Sequence, residues 1–278
     1  MSRKLNDQPA DKRPDVVLVT GSSSGIGRAC CDRLADGGRR VYGASRKAGE
    51  AAPWTYVAMD VTDDASVERA VAEVMRREGR IDALVHCSGV SLAGSFEDTT
   101  IEEAKRQFET NFFGAIRVMR AVLPIMRKQG RGKILVIGSI GGLIGLPYIG
   151  YYSASKFALD GLVEALRMEV APFGIEATVV HPGDFNTAIS ANQVLCSRSG
   201  VDSPYHAVCH RTIEIYDAAV RRARPADVVA RRIERLLARR RLPVRSVLGT
   251  PSEVLGVWLK SALPSRGFEY LFRKSYKL

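Results

Sequence analysis

From Asp15 the chain alternates short β-branched apolar runs with longer stretches in which apolar residues recur at helical spacing. The runs are Val16–Val19, Arg40–Gly43, a third ending before Asp60, Ala83–His86, Lys133–Ile137 and Glu176–Val180. Between them lie the helical stretches Ile26–Ala35, Ala65–Glu78, Thr100–Arg127 and Gly150–Ala171. Unbroken apolar runs predict strands buried on both faces, and the strand–helix repetition predicts a doubly wound parallel sheet with helices on both sides. No Pro/Gly/Ser-rich linker and no fixed-period repeat interrupts 15–187, so one α/β domain is expected. Past Thr187 the rhythm loosens into a polar stretch, then helical patterns at Tyr205–Arg222 and Ala226–Arg240 and a strand-like Val244–Leu248. The expected organisation is a loose leader at 1–14, a body at 15–250 with a variable lid at 188–224, and a C-terminal helical extension at 251–278.

The first strand runs straight into Thr20-Gly21-Ser22-Ser23-Ser24-Gly25-Ile26-Gly27, and a helix begins near Arg28. A strand, a glycine turn and a helix N-terminus together make an anion site, because uncommitted N–H groups and the positive dipole end meet a pyrophosphate. The body is therefore expected to bind a dinucleotide. An acid at the end of the second strand would hold a ribose 2′-hydroxyl, whereas a cation there would hold a 2′-phosphate. That strand ends in Ser45-Arg46-Lys47 without a carboxylate. Arg46 is either a solvated side chain or a phosphate clamp helped by Ser45 and Ser22 or Ser23; the clamp is preferred, and with it NADP(H).

Thirteen residues after Ser139, at the end of the fifth strand, stands Tyr152-Ser153-Ala154-Ser155-Lys156. The four-residue spacing puts Tyr152 and Lys156 on one helix face. A free phenol has a pKa of about 10, so proton exchange near neutrality requires a neighbouring cation, and Lys156 can supply it. Asn111 stands mid-way along the long preceding helix, where its plain reading is a buried amide.

The T-G-x-x-x-G-x-G loop, Ser139, the Y-x-x-x-K pair and Asn111 together resemble the short-chain dehydrogenase/reductase family, and the likeness covers roughly 15–250. It implies a Rossmann-type fold and hydride exchange between NADP(H) and a carbonyl or alcohol. Tyr152 is then the acid/base, Ser139 bonds the substrate oxygen, Lys156 also binds ribose, and Asn111 holds a relay water. Asp60-Val61 resembles the adenine-contacting pair, with a helix cap as its plain alternative. Pro182-Gly183 matches the motif after the sixth strand, and Thr187 is placed on the nicotinamide carboxamide. His86-Cys87-Ser88-Gly89 departs from the family's N-N-A-G. Ser88 and Gly89 keep the close backbone approach, while Cys87 loses an amide that helps hold the sheet.

Composition narrows the partners. With 46% hydrophobic and 26% charged residues in 278, the chain has a globular make-up. Its net charge of +11 first points to nucleic acid, a membrane surface or an anionic ligand. From residue 198 onward seventeen basic side chains face seven acidic ones, so almost all the excess is C-terminal and nucleic acid is not required. The five scattered cysteines and a leader without an apolar core point to a reducing, cytoplasmic setting. Cys196, His206, Cys209 and His210 are too irregularly spaced for a metal site, and none is expected.

The loop Leu143–Ile149 is apolar, which points to a hydrophobic ketone or alcohol, steroid- or lipid-like. Residues 252–278 interleave Trp258, Phe268 and Phe272 with Lys260, Arg266, Arg273 and Lys274. This stretch either lies on a membrane or packs on the body or on a second subunit of a homodimer or homotetramer. Two rivals remain: a nucleotide-sugar epimerase, which the glycine spacing disfavours, and a catalytically silent NADP-sensing or membrane-docking protein, which the complete Tyr152/Lys156 set disfavours.

Overall fold

The computed structural model describes residues 15–47, 52–187 and 193–276, so the expected leader at 1–14 lies outside the described residues. Seven strands pair in parallel throughout: β1 (Val16–Thr20), β2 (Arg40–Ser45), β3 (Thr55–Ala58), β4 (Ala83–His86), β5 (Gly132–Ile137), β6 (Ile175–Pro182) and β7 (Arg245–Leu248). Their spatial order is β7-β6-β5-β4-β1-β2-β3. The order reverses at β1, between β4 and β2, which opens a crevice beyond the carboxyl ends of the strands, where open α/β sheets bind ligands.

The apolar runs fold as they do because both faces need cover. On β1, Val16 and Leu18 enter one core while Val17 and Val19 enter the other. The first core is closed by α2 (Asp64–Glu78), α4 (Gly114–Gln129) and α5 (Gly150–Val170); the second by α1 (Gly25–Asp36) and α7 (Asp227–Leu237). Helix ends follow local chemistry. Asp63 accepts the Ala65 N–H at 2.9 Å to start α2, and Gly79 ends it at φ 70. α3 (Ile101–Phe108) opens with a capping box of Thr100 and Glu103.

The stretch expected as one helix over Thr100–Arg127 is broken by a π-helical turn at Glu109–Phe113. Asn111 sits in this turn, fully buried. Its amide donates to Val90 O (3.0 Å) and Ser155 Oγ (3.1 Å) and accepts from Val90 N (2.8 Å), so the wider turn aims a side chain that a regular helix would place elsewhere. The C-terminal stretch is two helices, α8 (Pro251–Ala262) and α9 (Ser265–Ser275), divided at Leu263–Pro264 and following α6 (His206–Arg222) and α7. Neither contains a buried residue.

Candidate active site

A cleft of about 890 Å³ lies over the strand ends where the sheet order reverses. Gly21, Ser23, Ser24, Gly25, Ile26 and Gly27 floor one end. Two of these positions admit only glycine. Gly21 has φ +69, and a Cβ on Gly27 would come within 2.2 Å of the Gly21 carbonyl oxygen. Ser24 occupies the cap of α1 but makes no capping bond, so first-turn N–H groups are left to an anion. Ser22 does not line the cleft; its hydroxyl is buried beneath the loop without a hydrogen-bond partner, and its N–H donates to Ala44 O at 3.2 Å. It therefore cannot share a phosphate clamp through its side chain.

At the end of β2, Ser45, Arg46 and Lys47 border the cleft, with Arg46 and Lys47 exposed. Ser45 Oγ donates to Lys47 O at 2.7 Å. Asp60 and Val61 form the adjoining wall. Asp60 accepts from Thr62 N (2.9 Å) and Thr62 Oγ1 (2.7 Å), and the first of these bonds is the main reason its carboxyl lies below the ordinary range. The helix cap is Asp63, which leaves Asp60 in the wall.

Ser88 and Gly89 line the middle of the cleft beside Cys87. The amide missing at position 87 is compensated from β1. Thr20 Oγ1 accepts from Cys87 N (3.1 Å) and Ser88 N (3.3 Å) and meets His86 Nδ1 at 3.0 Å. His86 is fully buried, and desolvation lowers it to about 3, so the strap between the strands is neutral.

The other end holds the three side chains expected to react. Ser139, Tyr152 and Lys156 all line the cleft. Burial is the largest influence on Tyr152 and raises it, while the neighbouring Ser139 hydroxyl pulls it back. Burial likewise lowers Lys156 to about 8. Its Nζ donates to Ile137 O at 2.9 Å and stands 5.8 Å from the centre of the Tyr152 ring. Asn111 does not reach the cleft surface; a Cβ on Gly89 would lie 3.4 Å from its Oδ1 and 3.5 Å from Lys156 Nζ, so Asn111 and the Lys156 ammonium both flank Gly89, and of the two Lys156 lines the cleft. Pro182 and Thr187 line the cleft, whereas Gly183 faces Glu253, whose carboxylate oxygen would stand 2.4 Å from a Cβ there.

A supporting chain escaped the sequence reading. His181 joins Ser139 O (Nδ1, 2.9 Å) to Asp160 Oδ1 (Nε2, 3.0 Å), and Arg245 donates to both Asp160 oxygens at 2.9 Å. Burial opposes ionisation of Asp160, yet the bonds from His181 and Arg245 hold it at about 2. The available signal was the four-residue row Tyr152, Lys156, Asp160, Glu164 along α5. The bond from Asp184 N to Glu253 Oε1 at 2.6 Å joins the loop after β6 to α8 and leaves no such row.

A backbone cradle for a pyrophosphate, joined to a buried serine–tyrosine–lysine set, defines an oxidoreductase site for a nicotinamide dinucleotide, and the chain belongs to the short-chain dehydrogenase family, whose model matches residues 15–195. Its likeness to individual members is broad. It is 39% identical to the 3-ketodihydrosphingosine reductase of Bacteroides thetaiotaomicron, over 96% of this chain and 99% of that protein. It is 30% identical to dehydrogenase/reductase SDR family member 7B of Xenopus tropicalis, over 94% and 86%. Among solved structures, a short-chain dehydrogenase from Streptomyces avermitilis superposes with a TM-score of 0.80 at 31% identity, over 96% of this chain and 98% of that one.

Proposed function

We propose that the chain is an NADP(H)-dependent carbonyl reductase, or the corresponding alcohol dehydrogenase, acting on a hydrophobic, lipid-like ketone. One observation carries the reading: Tyr152 is buried, raised by that burial, and lines the cleft with Ser139 and Lys156 at the far end from a dinucleotide cradle. Bound cofactor would supply hydride. Everything else falls to the chain. Ser139 orients the substrate oxygen and Tyr152, as the acid, delivers a proton to it, so that raising the tyrosine by burial favours reduction. Lys156, charged below about pH 8, holds the ribose edge and offsets charge appearing on Tyr152. Asn111 pins the Val90 backbone and Ser155 and so fixes the segment behind Lys156. Arg46 and Lys47, exposed at the mouth where β2 ends, suit a 2′-phosphate.

The similarity to a 3-ketodihydrosphingosine reductase and the apolar loop with Ile144 and Ile149 buried support a long-chain ketone. No helix among the described residues is long and apolar enough to cross a membrane. The surface of α8 and α9, with Leu255, Trp258, Tyr270 and Leu271 exposed among cations, supports a cytoplasmic protein that rests on lipid. A panel of long-chain ketones followed by NADPH absorbance tests the activity. NADPH consumption that depends on the ketone and is lost in Tyr152→Phe is expected; its absence across the panel would favour a silent, cofactor-sensing protein.

A further inference from the structure

The chain of bonds behind Ser139 needs one proton more than a neutral imidazole can supply. His181 is fully buried, and both its ring nitrogens face oxygens that only accept: Nδ1 meets the Ser139 carbonyl at 2.9 Å and Nε2 meets Asp160 Oδ1 at 3.0 Å. A neutral imidazole carries a single N–H, so it satisfies one of these contacts and sets a lone pair against the other oxygen. Both are hydrogen bonds only when a second proton is present, on the ring or on the carboxylate. Arg245 decides which. Its Nε donates to both Asp160 oxygens at 2.9 Å, its Nη2 stands 2.7 Å from Oδ2, and the carboxyl is held at about 2. Asp160 is therefore ionised, and the extra proton belongs to the ring.

Ser139 is held through its backbone. Its carbonyl accepts from Gly142 N at 2.8 Å as well as from His181, which uses both lone pairs, and Gly138 N donates to Val180 O at 2.8 Å. The ring can come this close because residue 138 is glycine: a Cβ there would lie 3.0 Å from His181 Nδ1. Ser139 Oγ accepts from Gly141 N at 3.0 Å, which leaves its own hydrogen to donate within the cleft that Ser139 lines. The charged groups around the ring come from two elements. Asp160 faces it from α5 and Arg245 backs Asp160 from β7, with Glu164, one turn further along α5, bonded to Arg245 in turn. Lys156, one turn before Asp160, donates to Ile137 O at 2.9 Å.

We propose that Asp160 and Arg245 hold His181 as the doubly protonated imidazolium, and that this buried cation is a positioning residue, fixing the Ser139 carbonyl so that the Ser139 hydroxyl meets the substrate oxygen. Loss of the second proton turns one of the two contacts from attraction to repulsion and loosens Ser139 without touching the cofactor cradle. The positioning role rests on the reductase reading above; the protonation state does not.

Heteronuclear NMR of the imidazole nitrogens in the wild-type protein at neutral pH, with each ring assigned by through-bond connection to its backbone, reads the protonation directly and needs no variant to fold. Two protonated nitrogens are expected on His181 and one on His86, which is buried and neutral. A single protonated nitrogen on His181 would overturn the proposal, whether or not any ketone is reduced. Asp160→Asn removes the carboxylate, so the second proton is expected to be lost. Its kcat for the ketone is expected to fall by about 10- to 100-fold while NADPH affinity, measured by titration, stays at the wild-type value. A merely structural network would lower thermal stability and leave the kcat of the folded protein intact, so an unchanged kcat in a variant lacking the second proton also refutes the role. His181→Gln, uncharged and able to donate to only one of the two oxygens, is expected to give the same loss and serves where Asp160→Asn does not fold; wild-type kcat there refutes the role as well.

Discussion

The two ends of the cleft are built by different means. The cofactor end is backbone: a glycine turn, the first turn of α1 and strand ends, with Thr20 bonding the Cys87 and Ser88 amides. The other end is side chain: Ser139 after β5, Tyr152 and Lys156 from α5, and Thr187 from the loop after β6. A backbone surface tolerates little variation, because a single Cβ at Gly27 would collide with the Gly21 carbonyl. A side-chain surface can be rewritten residue by residue without disturbing the sheet. One end can thus stay fixed for a common cofactor while the other adapts to a substrate.

Tyr152→Phe gives the sharpest break. Removing the proton donor is expected to cut kcat by about 10²- to 10⁴-fold while NADPH still quenches or shifts protein fluorescence on binding. If both binding and turnover fail together, the two ends are not separable. Gly27→Ala does the converse: its methyl has no room, so NADPH affinity measured by titration falls by more than about 10-fold and the ketone preference among residual turnovers is kept. Arg46→Ala is smaller. Loss of a charge-assisted bond of about 1.5–3 kcal/mol lowers the NADPH-over-NADH ratio of kcat/KM by about 10- to 100-fold; an unchanged ratio would remove the clamp.

A pH series sharpens the substrate end. Burial lowers Lys156 to about 8, so its charge is lost as pH rises through that value. Ketone-dependent NADPH consumption is therefore expected to decline between about pH 7 and 9, and an unchanged rate across that range would remove Lys156 as the charged partner of Tyr152. The smallest effect belongs to the tail. Trp258 is 63% exposed, so Trp258→Ala shifts stability by no more than about 0.5 kcal/mol in urea, yet lowers co-sedimentation with anionic vesicles. Equal pelleting would leave α8 and α9 without a lipid role.

The same contrast explains what could be read from the chain. Gly21, Gly25 and Gly27 stand at fixed spacing because backbones approach there, and Tyr152 and Lys156 share one helix face, so both announced themselves. Ser22 did not behave as its neighbours do: the turn sends its hydroxyl inward, which spacing alone does not reveal. The π-helical turn at Asn111 was hidden for a related reason, since it is imposed by bonds to Val90 and Ser155, far away in sequence. Asp184 and Glu253 were unremarked because their meeting depends on how α8 docks after β7, a tertiary fact with no local pattern. His181 lay in plain sight before Pro182, but its partners Asp160 and Arg245 come from two other elements.

The carboxylate of Glu253 has two owners. It caps α8 through Thr250 N and holds the loop after β6 through Asp184 N. Any ligand, lipid or protein, that displaces α8 must therefore do work on the loop whose Pro182 and Thr187 line the cleft. Thermodynamic reciprocity requires the converse by an equal factor: filling the cleft changes how strongly the tail holds whatever lies against it. Residues 251–276 are in this sense a second handle on the cleft, and occupancy at either end is reported at the other.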